Sequence, residues 1–148
     1  MQYTYEFEVV KNDEWLTAVP FDMPGGTQGK DWEEVALMAA EWLKADIEHR
    51  LMHGVAIPKA TFGNTPLAGG ARVIVSTNAS LDKVESVSAA KAARMLEVTP
   101  ARITHMIRDG LLDAYKDGHN TFVTVASIEA RLAEPRKAGR PKKEFAVK

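Results

Sequence analysis

The chain begins with residues that alternate between apolar and polar. The apolar positions are Tyr3, Tyr5, Phe7 and Val9, and the polar positions between them are Thr4, Glu6 and Glu8. A period of two predicts a β-strand with its apolar face buried and its polar face toward solvent. Turn-forming residues at 11–14 and an apolar run at 15–19 predict a second strand that returns beside the first as a hairpin.

A long helix is predicted next. Residues 27–29 suit a short third strand, and Asp31 and Glu34 then have the capping-box spacing that starts a helix. The helix is expected to continue to about Met52 and to stop near Gly54. Its predicted apolar face consists of Ala36, Ala40, Leu43, Ile47 and Leu51.

The fold class that follows is α+β. After a loop rich in proline and glycine, residues 71–75 predict a further strand, which gives the order β-β-β-α-β. A helix packed on one face of a small sheet is the simplest way to bury both apolar faces. The polar residues 77–85 then predict a hinge to a second module.

The second module begins with two short helices. Ser88 is a suitable N-cap for a helix over residues 89–96, whose narrow apolar face is made mostly of alanine. Thr99 and Pro100 predict the start of the next helix, because a hydroxyl cap is followed by a residue with no amide to satisfy. The inward positions of that helix are Ile103, Met106 and Ile107, and its predicted stop is Gly110.

A hairpin and a closing helix complete this module. Residues 111–116 and 121–125 predict two strands joined by a turn at 117–120. Residues 127–132 predict a last helix, in which the inward positions are Ile128 and Leu132.

This order of elements resembles the excisionase and MerR-type winged helix-turn-helix family. In that family an alanine-rich helix precedes a recognition helix, a wing and a short closing helix, and residues 87–133 follow the same order. The resemblance implies that residues 86–134 form a sequence-specific DNA-binding domain. A helical pair and a hairpin that serve protein contacts alone are the alternative, since residues 86–134 hold six basic and six acidic side chains.

The candidate DNA contacts lie on the outer face of the second helix and in the hairpin. The helix positions are Thr99, Ala101, Arg102, Thr104, His105 and Arg108, and the hairpin positions are Lys116, His119 and Asn120. Arg102 is the first choice for a base-edge contact, because a guanidinium can pair with guanine through two hydrogen bonds. The hairpin residues are expected to contact phosphate or the minor groove.

Charge is unevenly distributed along the chain, although the formal net charge is only -1. Residues 1–80 carry 6 basic and 11 acidic side chains, whereas residues 135–148 carry 6 basic and 1 acidic. Within this basic tail, Gly139-Arg140-Pro141 resembles an AT-hook, which inserts arginine into a narrow minor groove. A solvated basic tail is the alternative. The candidate DNA contacts of the tail are Arg136, Lys137, Arg140, Lys142 and Lys143.

The front module, residues 1–80, resembles the HicB antitoxin family. The residues that carry the resemblance are the strands at 3–10 and 15–19, the loop Asp22-Met23-Pro24-Gly25-Gly26, the helix start at 29–36, and Ile57-Pro58. The family usually has a hydroxyl cap and a Glu-Ala pair at this helix start. Here Asp31 replaces the cap and Val35 interrupts the pair.

The resemblance to HicB antitoxins implies a function for the whole chain. Its fold would be a partial RNase H-like front domain, followed by the winged helix-turn-helix and the tail. Such antitoxins bind and neutralise a HicA toxin, an mRNA-cleaving ribonuclease, and repress their own operon, so the implied partners are operator DNA and a HicA-like toxin. A homodimer or higher homo-oligomer is also implied. The alternative is a stand-alone or phage-type DNA-binding regulator, or an architectural factor, with a protein-interaction front domain.

Other function classes find little support in the sequence. The chain has no cysteine and no signal-peptide or membrane-spanning pattern, so a cytoplasmic protein without membrane contact is expected. An RNase H-like fold raises the possibility of metal-dependent cleavage, but Glu6 and Glu8 are predicted on a polar strand face, and Glu33 and Glu34 at a helix start. His49 and His53 lack the glutamate of a zinc-protease motif. No enzymatic activity, metal or cofactor is expected.

The basic tail generates the first testable prediction. Deleting residues 135–148 should lower the affinity for many DNA sequences, because the lost side chains no longer release counterions from phosphate. The log–log slope of affinity against salt should flatten by roughly 0.9 per lost contact, as measured by anisotropy titrations at several salt concentrations. An unchanged slope would show that the tail does not contact DNA.

Overall fold

The computed structural model describes residues 1–134 and divides the chain into two compact units that meet between Val84 and Glu85. The architecture is mixed α+β, as predicted. The five tail residues that were predicted to contact DNA lie outside the described residues. None of the helices within residues 1–134 is both long and apolar enough to cross a membrane.

The first unit is a four-stranded antiparallel sheet covered by one long helix. Its elements in chain order are β1 (Gln2–Asn12), β2 (Trp15–Pro20), β3 (Thr27–Gly29), α1 (Trp32–His53), β4 (Ala71–Asn78) and a 3₁₀ turn (Leu81–Lys83). The strand order is β3-β2-β1-β4, so β1 is paired on both sides. The predicted β-β-β-α-β order is confirmed, although β4 continues past Val75 to Asn78.

The buried face of α1 differs from the predicted one in its first turns. Val35, Ala39, Leu43 and Ile47 are buried, whereas Ala36 is exposed and was wrongly assigned to the core. The reason is the close approach of the helix start to β3: a Cβ on Gly29 would lie 2.5 Å from the amide nitrogen of Val35. This close approach turns Val35, and with it Ala39, Leu43 and Ile47, toward the sheet. Ala40 and Leu51, also predicted, pack at the edge of the core.

The loop before α1 requires glycine at one position. Gly25 has a φ of +108°, and a Cβ there would lie 2.6 Å from the ring of Trp42. Trp42 in turn meets Phe7 edge to face, with ring centroids 6.0 Å apart. The loop backbone therefore passes close to an aromatic pair that joins α1 to β1.

Up to residue 134, the second unit consists of three short strands and three short helices. Its elements are β5 (Ser86–Ser88), α2 (Ala89–Leu96), α3 (Pro100–Arg108), β6 (Ala114–Asp117), β7 (Asn120–Thr124) and α4 (Val125–Ala133). The strand order is β5-β7-β6. The predicted helices and hairpin are present, and β5 is an additional strand. The first hairpin strand starts at Ala114 and not at residue 111 as predicted, because residues 111–112 bend and place Leu112 in the core. The core residues are Ala92, Ala93, Ile103, Met106, Leu112, Val123 and Ile128.

The closing helix differs from the prediction at both ends. It starts at Val125, because the Thr124 hydroxyl accepts the amide of Ser127 and ends the strand. Ile128 is fully buried as predicted, but Leu132 is 57% exposed, so its assignment to the core was wrong. Leu132 lies in the last turn of α4, where it borders an open groove instead of the core.

This difference can be tested by truncating each residue. Ile128→Ala should lower the free energy of unfolding of the second unit by about 2–5 kcal/mol, because it leaves a cavity in a packed core. Leu132→Ala, the matched control, should change it by about 0.5 kcal/mol or less. Urea unfolding followed by circular dichroism measures both values. Equal losses in the free energy of unfolding would show that Leu132 belongs to the core after all.

Candidate nucleic-acid interface

The geometry of α2 and α3 is set by local hydrogen bonds at their ends. The Ser88 hydroxyl accepts the amide of Lys91 at 3.1 Å, and the Thr99 hydroxyl accepts the amide of Arg102 at 3.2 Å. Between the helices, Glu97 adopts a left-handed conformation with a φ of +55°. Each helix start is thus capped by the residue that the sequence predicted.

Small side chains on α2 allow α3 to pack closely. Ala92 is fully buried and Ala93 nearly so, and the facing side chains Ile103 and Met106 are 1% and 3% exposed. With its inner face committed to these contacts, α3 directs its other side chains outward. All six predicted helix contacts are exposed: Thr99, Ala101, Arg102, Thr104, His105 and Arg108.

Two of the exposed side chains on α3 contact each other. An Nη nitrogen of Arg108 lies 3.0 Å from Nδ1 of His105, and its Nε lies 3.6 Å from a carboxylate oxygen of Asp109. The Arg108 side chain remains 68% exposed. This guanidinium is therefore available to a ligand, although a neighbouring acid offsets part of its charge.

Arg102 occupies the flank of this surface. It lines a groove of about 190 Å³ together with Met106 of the same helix and Arg131 of α4. At 100° per residue, Arg102 lies near Met106, whereas Ala101, His105 and Arg108 point away from the core. The structure thus brings His105 and Arg108 together and places Arg102 at the margin.

The β6–β7 hairpin presents the remaining described candidates. Asp117 pairs with Asn120 across a tight turn in which Gly118 has a φ of +63°. Lys116, His119 and Asn120 are all exposed. The base of the hairpin is anchored by Tyr115, which stacks on Phe122 with centroids 5.6 Å apart and shares a hydrogen bond of 2.8 Å with the Ser86 hydroxyl.

In the first unit, Glu6 and Glu8 are buried, although the sequence predicted that they face solvent. They lie on the face of β1 away from α1, as alternation requires, but they are only 4% and 5% exposed. The loop after α1 folds over them and supplies hydrogen-bond donors that the sequence did not reveal. Glu6 accepts the amides of Gly63 and Asn64 at 3.1 and 2.8 Å.

The second carboxylate binds the same loop further along. Glu8 accepts the amides of Leu67, Ala68 and Gly70 at 2.8, 2.9 and 2.8 Å. These charge-assisted hydrogen bonds satisfy backbone donors in a segment without regular secondary structure. Both carboxylates thus hold this loop against β1 through hydrogen bonds to its backbone.

The hydrogen bonds lower the pKa of both groups. For Glu6, burial raises the pKa, but the bonds from Asn64 and Gly63 outweigh it and hold the pKa below its ordinary value of 4.5. For Glu8, the amide of Gly70 is the largest influence, and the pKa is also lowered. Both groups are therefore ionised at neutral pH.

Candidate metal ligands do not converge in the part of the chain that the structure describes. Among residues 1–134, no three or more histidine, aspartate or glutamate side chains are grouped so that they could hold a metal ion. His49 and His53 are exposed and their rings pack against each other, with centroids 4.4 Å apart.

Comparisons with known proteins give one structural likeness. The chain is similar to a chain of a solved structure described as a toxin-antitoxin complex from Streptococcus pneumoniae, with 18% sequence identity and a TM-score of 0.49. The likeness covers 74% of this chain and 99% of that chain. No protein-family model and no curated protein matches the chain. At this level, the likeness decides neither the family nor the function of the chain.

The buried carboxylates predict an acid-sensitive front unit. A lowered pKa in the folded state means that the stabilisation is present above pH 4.5 and is lost as the pH falls through the lowered values. Glu8→Gln should destabilise the first unit at pH 7 and reduce the loss of stability between pH 5 and 3, because glutamine cannot accept a proton in this range. Urea unfolding followed by tryptophan fluorescence at each pH reports this unit, since all three tryptophans lie in it.

Glu14 offers a matched control for this experiment. It is an exposed glutamate of the same unit, so Glu14→Gln should leave the pH profile of stability unchanged. A profile for Glu8→Gln that is as steep as that of the unaltered protein would contradict the assigned role.

Proposed function

We propose that the chain is a two-part antitoxin and repressor and has no enzymatic activity of its own. Its second unit acts as a winged helix-turn-helix that binds operator DNA, with α3 as the recognition helix and the β6–β7 hairpin as the wing. Its front unit binds and neutralises a HicA-like, mRNA-cleaving toxin. The protein represses its own operon as a homodimer or higher homo-oligomer.

The observation that carries the proposal is the exposed outer face of α3. The helix is nine residues long, is capped at its start, and buries only the row that faces α2. Its outer face presents two hydroxyls, an imidazole and two guanidiniums. An α-helix fits the major groove of B-DNA, where such groups can read base edges through hydrogen bonds.

The charge distribution supports a division between specificity and attraction. Residues 85–134, the described part of the second unit, hold six basic and seven acidic side chains, so this part has no net positive charge with which to attract phosphate. The six basic residues of 135–148 supply that attraction. Positioned side chains on α3 then select the sequence.

The resemblance to HicB antitoxins supports the role of the front unit. Residues 1–80 carry 6 basic and 11 acidic side chains, and an RNA-cleaving toxin needs a basic surface to hold its substrate. Opposite charges on two partners favour fast and selective association. The two buried glutamates are bonded to the protein's own loop, which fits a binding role better than a catalytic one.

Substitutions on α3 test the DNA-binding role. Arg108→Ala and Arg102→Ala should each weaken binding to the promoter of the protein's own gene by about 1–3 kcal/mol and leave nonspecific affinity nearly unchanged, because a lost base contact affects only the specific complex. Competition binding against unrelated DNA measures both affinities. Lys59→Ala, an exposed charge in the front unit, is the matched control.

The two arginine substitutions are expected to differ in how much DNA affinity they remove. Arg108 points away from the core, whereas Arg102 lies beside the groove next to α4. We therefore expect the larger loss for Arg108→Ala. If either variant weakens specific and unrelated DNA equally, that arginine contacts phosphate and does not read sequence.

Co-expression tests the antitoxin role. A small protein encoded beside this gene should arrest growth when expressed alone, and the full chain should relieve the arrest and co-purify with it. Cleavage of mRNA during the arrest would identify the activity as ribonucleolytic. Operator binding without any toxic neighbour would instead indicate a stand-alone regulator.

A further inference from the structure

Two tryptophans of the front unit are exposed at the same corner of the fold. Trp15 is the first residue of β2 and Trp32 the first of α1, and they are 39% and 53% exposed. They line a common cleft of about 230 Å³ that is also bordered by Lys11, Glu14, Lys30 and Asp31. Large apolar side chains gathered in an open cleft are typical of a binding surface.

The cleft is held in place by elements that are themselves well anchored. Trp15 pairs with Asn12 at the end of the β1–β2 hairpin, and the next residue, Leu16, is buried and pairs with Gly29 of β3. Trp32 follows Asp31, whose carboxylate caps α1. Both indoles therefore project from rigid backbone, which lowers the entropy lost when a partner binds.

The aromatic surface of the cleft already attracts a cation. The ammonium group of Lys30 lies 5.8 Å from the centroid of the Trp15 ring, within the range of a cation–π interaction. Trp32 is more exposed than Trp15. Its indole is thus available to a further cationic side chain from outside.

Acidic residues outnumber basic ones around the cleft. The cleft is lined by two acidic residues, Glu14 and Asp31, and two basic ones, Lys11 and Lys30. The positions next to these along the chain add three acidic side chains and no basic one: Asp13, Glu33 and Glu34. This excess favours a cationic partner and repels phosphate, so it argues against base stacking by a nucleic acid. Aromatic faces and carboxylates together match arginine, whose guanidinium stacks on rings and bonds to carboxylates.

We propose that the Trp15–Trp32 cleft is a docking site for an arginine-bearing segment of a basic protein partner. The guanidinium stacks on an indole, and its N–H groups donate to the Glu14 carboxylate at the rim. This assignment rests on the proposed function only where the partner is taken to be the toxin. The chemistry of the cleft can be tested without any toxin.

The test is an NMR titration of the full chain with a blocked peptide of alternating arginine and glycine. The chain has three tryptophans, so three indole N–H signals report the result, and Trp15→Phe and Trp32→Phe assign them. The signals of Trp15 and Trp32 should move, and that of Trp42, which packs against Phe7, should stay. The same peptide with citrulline in place of arginine should move none.

Substitutions then locate the binding energy. Trp32→Ala and Glu14→Gln should each weaken the arginine peptide by about threefold or more, as expected for loss of a cation–π contact or of a carboxylate partner. Leu37→Ala and Glu41→Gln, which change exposed residues of α1 that do not line the cleft, should have no effect. Glu14→Gln retains both indoles and thus tests the charge argument separately.

Three results would overturn the proposal. These are stationary indole signals, equal shifts with the citrulline peptide, and stronger shifts with a single-stranded RNA of mixed sequence than with the arginine peptide. If a toxin co-purifies as strongly with Trp32→Ala as with the unaltered chain, the cleft is not its docking site, although the antitoxin role stands. If no toxin exists, the peptide titration still tests whether the cleft binds arginine.

Discussion

The front unit depends on β1, which is covered on every side. It pairs with β2 along one edge and with β4 along the other, and Phe7 and Val9 on one face pack in the core beneath α1. On the opposite face, Glu6 and Glu8 bind the amides of the loop at 63–70. A buried carboxylate without such donors would be costly. Strand β1 therefore depends on the loop for hydrogen-bond donors, and the loop depends on the carboxylates of β1 for acceptors.

In the second unit, close packing of two short helices fixes the orientation of α3. Alanines on α2 bring α3 close, and burial of Ile103 and Met106 leaves no alternative orientation for the rest of α3. The outer face of α3 is then left exposed. Because residues 85–134 carry no net positive charge, the proposed DNA binding would depend on the positions of the side chains on α3 for specificity and on the basic residues of 135–148 for attraction.

Local chemistry explains which features were predictable. Asp31, Ser88 and Thr99 start helices because each satisfies an amide three residues ahead, and this spacing is visible in the sequence. The outward positions on α3 followed from the inward ones by helical periodicity. Contacts between distant residues were not predictable. The donors to Glu6 lie 57 and 58 residues away, and Trp15 and Trp32, which are 17 positions apart, line the same cleft because β2 pairs with β3.

We propose that the outer face of α3 and the tip of the β6–β7 hairpin bind operator DNA. Backbone NMR of the full chain, titrated with DNA from the promoter of its own gene, tests it most directly. We expect chemical-shift changes concentrated in residues 99–108 and 116–120, no changes in the front unit, and smaller changes with unrelated DNA of the same length. Shifts centred on residues 1–84, or identical shifts with both DNAs, would contradict it.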